Sequence, residues 1–201
     1  MRSGGPKGWG IHGKRSLDRA AGHRIFGAVQ LIMELYFLRH AKAVPRTGRT
    51  ARRDAERALT PDGEEKMWLV AKGMQNLGLT FDQILSSPCV RARRTAEIAA
   101  QALKLTSKLA LTNHLLPEGD PQALIRELIR QQRTLSRVLL VGHEPYLSGL
   151  LSTLVAGRPG ARLALKKAAL ALVSTDALRY GQCASLEWLL APRQLVLLAK
   201  V

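Results

Sequence analysis

The 201-residue sequence predicts an α/β fold, a three-layer sandwich in which a mostly parallel central sheet carries helices on both faces. Short apolar runs of the buried-strand type alternate with longer segments in which apolar residues recur at helical spacing. The composition agrees with this pattern, because Leu and Ala are abundant and aromatic residues make up only 4% of the chain. Such a composition favours helices and aliphatic packing over an all-β fold.

The first predicted strand spans residues 35–38 and is followed by a long polar stretch. That stretch covers residues 42–58, carries five arginines and is expected to form a loop or flap. A helix then begins at Thr60, which can cap it, with Pro61 in the first position. Gly78 ends this helix.

The middle of the chain continues the alternation. A strand is predicted over residues 81–85, and Ser87 followed by Pro88 opens a second helix by the same capping logic. Residues 109–111 form a short third strand. Asp120 followed by Pro121 opens a third helix.

The last third of the chain begins with its clearest buried strand, residues 138–141. A helix follows whose apolar stripe is Leu147, Leu150, Leu151, Leu154 and Val155. Residues 169–173 and 186–190 are the last two predicted strands, and Pro192 opens a short closing helix. Taken together, residues 33–201 are predicted to form one domain.

Residues 1–32 differ from the rest, because they are rich in Gly and basic residues and show little apolar periodicity. The mildly apolar stretch 25–33 lacks the small-residue cleavage site of a secretory signal. We expect residues 1–32 to be either a disordered extension or a segment upstream of a natural start at Met33.

The chain is strongly basic, with a formal net charge of +16. A basic surface attracts anionic partners, and charge alone does not choose between nucleic acid and phosphorylated protein. No apolar run is long enough to cross a membrane. The two cysteines, Cys89 and Cys183, are too few for a disulfide framework or a zinc site and indicate a reducing cytoplasm.

Three groups of polar residues follow predicted strands, where α/β sheets bind their ligands. They are Arg39 with His40, the corner that leads from Ser86 to Arg91, and Gly142 with His143. A neutral imidazole is a good nucleophile near pH 7, so His40 can accept a phosphoryl group. Arg39, Arg91 and His143 can donate hydrogen bonds to the phosphate oxygens.

Four segments resemble the signatures of the histidine phosphatase superfamily. Residues 38–41 resemble its Arg-His-Gly motif, and residues 59–63 its Leu-Thr-x-x-Gly segment. Residues 86–96 resemble its Ser-Ser-Pro-x-x-Arg-Ala-x-x-Thr-Ala segment, and residues 141–145 its second-histidine motif. The Gly-His-Glu-Pro sequence, the tail over residues 188–195 and the short length after residue 32 are similar to SixA phosphohistidine phosphatases.

The resemblance implies a phosphatase in which His40 is phosphorylated and Arg39, Arg91 and His143 form the phosphate pocket. It implies no metal and no other cofactor. The implied substrate is a phosphorylated histidine on a phosphotransfer or signalling protein, which the basic flap from Arg46 onward could dock.

The sequence departs from the family pattern at two places. Ala41 replaces the usual Gly and is expected to be tolerated. The acid that protonates an alcohol leaving group in many relatives is not fixed by a motif, and Glu118 and Asp120 are the candidates. Asp120 also fits as the cap of the next helix. Imidazole is a better leaving group than an alkoxide, so a phosphohistidine substrate needs less acid help.

Other functions are weighed against this one. A small-molecule phosphatase or mutase of the same superfamily would share the pocket but need a committed acid. A phosphate-binding protein with a dead site conflicts with the intact His40 and its three partners. A nucleic-acid binder lacks a reading motif, and Lys166 and Lys167 are interpreted as a solvated turn. The oligomeric state is not predicted.

Overall fold

The computed structural model describes residues 32–46, 54–131 and 134–201, and its framework is a six-stranded mixed sheet between two helical layers. The strands are β1 (Met33–Arg39), β2 (Gln83–Ser86), β3 (Leu109–Leu111), β4 (Arg137–Gly142), β5 (Leu170–Thr175) and β6 (Ser185–Leu190). The helices are α1 (Pro61–Asn76), α2 (Val90–Ala102), α3 (Pro121–Gln131), α4 (Tyr146–Ala156) and α5 (Pro192–Leu198). The predictions for residues 1–31 and for the centre of the flap, residues 47–53, lie outside the described residues.

The strand order is β3-β2-β4-β1-β5-β6. Strands β3, β2, β4 and β1 are parallel, whereas β5 is antiparallel to both of its neighbours. The predicted mostly parallel sheet is therefore confirmed, with β5 as the strand that runs in the opposite direction. Because of this reversal, β5 begins where β1 ends: Leu170 pairs with Leu38, and the Ala168 N–H donates to the Arg39 carbonyl over 3.0 Å.

Alternating side chains of the sheet fill two separate cores, since successive residues of a strand point to opposite faces. In β1, Leu35 and Phe37 pack with apolar residues of α3 and α4. Tyr36 and Leu38 pack on the other face with residues of α1, α2 and α5. This burial on both faces is what the continuous apolar strand sequences predict.

All predicted strands and helices are present, and two of them begin two residues later than expected. Strand β2 begins at Gln83, and just before it the carboxylate of Asp82 accepts hydrogen bonds from the Ser136 and Arg137 N–H groups. Helix α2 begins at Val90, and Ser87 does not cap it. By contrast, Thr60 caps α1 as predicted, since its hydroxyl accepts from the Gly63 N–H over 3.0 Å.

No helix in the described part of the chain is long and apolar enough to cross a bilayer.

Candidate active site

The ends of β1 and β4 and the start of α2 meet around a cavity of about 220 Å³. Arg39 is the last residue of β1, and His40 follows it. Arg91 lies in the first turn of α2, and His143 follows β4. The four predicted pocket residues are thus brought together, in a wall formed by Arg39, His40, Ala43, Arg46, Asp54, Arg57, Arg91, Pro117, His143, Glu144 and Lys167.

The hydrogen bonds of His40 define its tautomer. Its Nδ1 lies 2.7 Å from the Ala41 carbonyl oxygen, which can only accept, so Nδ1 carries the proton. Its Nε2 therefore carries the ring's lone pair, and this atom accepts a hydrogen bond from Arg91 Nε over 3.3 Å. The lone pair of His40 consequently faces the buried arginine, which is the geometry expected if Nε2 were to attack an anion held by Arg91.

His40 is 7% exposed, and this burial lowers its pKa to about 4. The Ala41 carbonyl favours the charged form, but the positive charges of Arg91 and Arg39 act in the same direction as burial. The imidazole is therefore neutral at physiological pH, as a nucleophile must be.

A short network holds the backbone next to His40. The Ala41 N–H donates to Thr95 Oγ1 over 3.0 Å, and that hydroxyl donates to the Arg91 carbonyl over 2.7 Å. Thr95 thereby ties the segment after His40 to helix α2, which carries Arg91. Ala41 is buried there, at 1% exposure, so the methyl group that replaces the family's Gly is accommodated.

The start of α1 supports the same segment from the other side. The Thr60 N–H donates to the Lys42 carbonyl over 3.0 Å. A Cβ at Gly63 would lie only 2.1 Å from that carbonyl oxygen, so only glycine allows this approach. The Leu-Thr-x-x-Gly segment therefore has a physical role, which is to seat α1 against the loop that follows His40.

Arg91 is 3% exposed and is paired with Asp54 from the flap. Its two terminal nitrogens donate to the Asp54 carbonyl oxygen over 2.6 Å and to Asp54 Oδ2 over 2.9 Å. Burial opposes ionisation of Asp54, but Arg91, Arg57 and Arg46 outweigh it and hold its pKa below the ordinary value. Asp54 thus supplies the anion that makes burial of Arg91 tolerable.

His143 is neutral as well. Burial lowers its pKa to about 3, and the positive charge of Arg91 adds to this effect. Its Nε2 lies 2.9 Å from Ser87 Oγ, which already accepts from the Cys89 N–H. We assign the Ser87 hydroxyl as the donor to Nε2, which places the proton of His143 on Nδ1.

Two buried donors on the cavity wall have no partner among the described residues, Arg39 Nε and His143 Nδ1. Arg39 places another nitrogen 2.9 Å from the Leu165 carbonyl, which fixes its guanidinium. Burial lowers the pKa of Arg39, and the nearby Glu144 opposes this shift. Unsatisfied buried donors are costly, and an oxyanion in the cavity would satisfy both.

The structure does not bring the two candidate acids to this cavity. Asp120 Oδ1 accepts from the Gln122 and Ala123 N–H groups, so it caps α3, which was the alternative interpretation. Glu118 is exposed, and neither carboxylate is among the described residues of the wall. Sequence reasoning missed two carboxylates that line the cavity, Asp54 and Glu144, and Glu144 also accepts from the Ser148 N–H over 3.0 Å.

Lys167 also lines the cavity, so the interpretation of Lys166 and Lys167 as a solvated turn was incomplete. The available signal was the 13-residue connection between α4 and β5. The strands have at most seven residues, so 13 residues are enough to run from the end of α4 back to the active-site end of the sheet. The next strand can then be antiparallel, and the residues just before it lie beside the cavity.

In the residues that the structure describes, no group of three His, Cys, Asp or Glu side chains could hold a metal ion.

Comparison with known proteins points to one family. Residues 35–114 match the profile of the histidine phosphatase superfamily (branch 1). An uncharacterised protein of Picosynechococcus sp. is 39% identical over 148 residues, which are 73% of this chain and 88% of that protein. Phosphohistidine phosphatase SixA of Escherichia coli is 28% identical over 132 residues, 62% of this chain and 76% of that enzyme.

A solved structure gives the same picture. The protein histidine phosphatase SixA complexed with tungstate superposes with a TM-score of 0.69 at 25% identity. The superposition covers 81% of this chain and 99% of that structure.

Proposed function

This chain belongs to the histidine phosphatase superfamily, and from that membership we propose that it is a phosphatase that hydrolyses phosphohistidine on a phosphotransfer or signalling protein. The observation that carries the proposal is the arrangement around His40. A neutral imidazole whose Nε2 carries the ring's lone pair, and accepts a hydrogen bond from Arg91, lies in a cavity whose wall has two unpartnered buried donors. The tungstate in the SixA structure is an oxyanion like phosphate, which supports the same assignment.

In the first step, the lone pair of His40 Nε2 attacks the substrate phosphorus. A new P–N bond forms, the bond between phosphorus and the substrate imidazole breaks, and that imidazole takes a proton from bulk water. Arg39, Arg91 and His143 donate to the phosphate oxygens as charge redistributes. The hydrogen bond from His40 Nδ1 to the Ala41 carbonyl stabilises the cationic character that the ring acquires.

In the second step, water attacks phosphorus, the bond to His40 breaks, and inorganic phosphate leaves. His40 Nε2 regains its lone pair. Neither step calls on a metal ion, so we expect full activity in the presence of EDTA.

Three carboxylates near the site are unsuited to protonate an alcohol leaving group, which favours phosphohistidine over an alkyl phosphate. Asp54 is held ionised by three arginines and cannot serve as a proton donor. Asp120 and Glu118 lie outside the wall. An imidazole needs less protonation on departure than an alkoxide does, so this pocket suits a phosphohistidine substrate. The two free cysteines agree with a cytoplasmic location, where we place the enzyme.

A small-molecule phosphomonoesterase or mutase is the second candidate, and Glu144 is the observation that favours it. This carboxylate lies on the cavity wall and could protonate an alcohol leaving group. A phosphomonoesterase needs Glu144 as a proton donor, whereas a phosphohistidine phosphatase does not.

The deciding experiment compares kcat/KM for a chemically phosphorylated histidine protein with that for para-nitrophenyl phosphate and for an alkyl phosphate. The proposal expects the phosphohistidine protein to be the best substrate and Glu144→Gln to change that rate less than about threefold. If the alkyl phosphate is the better substrate and Glu144→Gln lowers its rate by about 10² or more, the second candidate is correct.

A further inference from the structure

We propose that a second, larger cleft beside the active site binds acidic side chains that flank the phosphorylated histidine of the substrate protein. This inference rests on the proposed function and names the surface chemistry of the partner. The cleft has a volume of about 550 Å³ and is called here the basic cleft. Its walls carry six cationic side chains: Arg39, Lys42, Lys66, Lys166, Lys167 and Arg193.

The charge of the basic cleft is almost unopposed. Asp62 is the one acidic residue among the described residues that line it, and it pairs with Lys42 over 2.8 Å. Lys166 and Arg193 are exposed and make no side-chain hydrogen bond or ion pair within the described part of the chain. An anionic ligand could therefore bind these two side chains without displacing an existing ion pair.

The basic cleft is continuous with the active site, because Arg39 and Lys167 line both. A phosphorylated residue that reaches His40 therefore brings its chain neighbours to the cleft. The direction of β5 creates this arrangement, since it places residues 166–168 beside the end of β1.

The lining favours protein carboxylates over a second phosphate group of a small substrate. The cleft is more than twice the volume of the active-site cavity, so it accommodates several side chains. Four of its six cations are lysines, which act as mobile point charges and lack the fixed fork with which arginine grips phosphate. Its apolar wall is built from small residues, Ala41, Ala168, Ala191 and Pro192, which leave space for a polypeptide.

The two flap arginines that the structure describes are already paired with an acidic residue. Arg46 and Arg57 are both paired with Asp54, at 3.1 Å and 2.8 Å, and line the active-site cavity. The other three flap arginines lie outside the described residues. The cleft adds exposed cations that the flap prediction did not include.

The test uses two matched sets of charge removal. The cleft variant is Lys66→Gln, Lys166→Gln and Arg193→Gln, none of which belongs to the phosphate pocket. The control variant is Lys108→Gln, Lys200→Gln and Arg130→Gln. Lys108 precedes β3, Arg130 lies in the last turn of α3, and Lys200 follows α5. All three are therefore at the end of the sheet that is opposite the active site.

Two phosphohistidine peptides serve as substrates, one flanked by glutamates and one by glutamines, and the unphosphorylated glutamate peptide serves as a binding probe. The proposal expects the wild type to prefer the glutamate substrate and to bind the probe. In the cleft variant, the preference for the glutamate substrate and the affinity for the probe should each fall about tenfold, since each exposed ion pair contributes a factor of about two. The control variant should keep both.

Equal losses in the two variants, or no preference in the wild type, would overturn the cleft assignment. Failure of the proposed function looks different. In that case neither phosphohistidine peptide is hydrolysed while para-nitrophenyl phosphate is, and binding of the unphosphorylated probe still reports on the cleft.

Discussion

Acidification from pH 7 to pH 5 should destabilise the folded protein by about 4 kcal/mol, and His40 and His143 should carry that change. Burial lowers the pKa of His40 to about 4 and that of His143 to about 3. In the unfolded chain both have a pKa of about 6.5. Between these values the unfolded state binds more protons, so stability falls as the pH falls.

The magnitude follows from proton uptake by the unfolded chain. At pH 5 an unfolded histidine is almost fully protonated, whereas the two folded ones remain neutral. Each site therefore costs about 2 kcal/mol between pH 7 and pH 5. This figure barely depends on the exact folded pKa, provided that it lies below 5. A loss of about 4 kcal/mol is a large part of the stability of a typical domain.

Carboxylates contribute in a lower pH range. The pKa values of Asp54 and Glu64 are lowered by their arginine partners, against the effect of burial at Asp54. Their stabilising contribution is present above the unfolded pKa of about 4 and is lost below it. The range from pH 7 to pH 5 therefore isolates the histidines.

Urea unfolding of the full chain, followed by circular dichroism at both pH values, measures the effect. Each single variant, His40→Gln or His143→Gln, should halve the pH difference, and the double variant should nearly abolish it. A double variant with the wild-type pH difference would refute the reasoning, because the protons would then be taken up elsewhere.

Three further predictions concern catalysis. Thr95→Val should lower kcat/KM about tenfold or more in steady-state assays, because the Ala41 N–H next to the nucleophile loses its acceptor. Thr95→Ser should restore the rate, and wild-type kinetics in Thr95→Val would contradict this role. Asp54→Asn should tighten competitive inhibition by inorganic phosphate several-fold, because a negative charge beside Arg91 is removed; a weaker inhibition would show that Asp54 mainly positions Arg91. The kcat/KM profile, corrected for substrate ionisation, should be flat from pH 7 to pH 5 and fall near pH 4, where His40 becomes protonated; a fall centred near pH 6.5 would contradict the lowered pKa.

The architecture and the convergence of the four proposed pocket residues are readable from the sequence because both depend on local patterns. The strand from Val138 to Val141 is uniformly apolar, and His143 follows it after one glycine. The topology therefore fixes the position of His143 at the carboxyl end of the sheet. Arg39 and His40 follow β1 in the same way. Such positions need no knowledge of distant contacts.

The contacts of the flap and of the β5 connection depend on the tertiary fold. Asp54 meets Arg91 across 37 positions of the sequence, and no periodicity marks that pairing. Lys167 reaches the cavity only because β5 is antiparallel, which its apolar sequence does not reveal. Asp120 was ambiguous in the sequence because the same carboxylate suits a helix cap and an acid, and the backbone around it decides for the cap.

Trapping of the phosphorylated enzyme tests the central claim most directly. The enzyme would be mixed with a phosphohistidine protein, quenched in alkali within milliseconds, digested and examined by mass spectrometry. We predict an alkali-stable, acid-labile phosphoryl group on His40, and its absence in His40→Ala together with loss of turnover. A phosphoryl group on another residue, or full turnover by His40→Ala, would contradict the account.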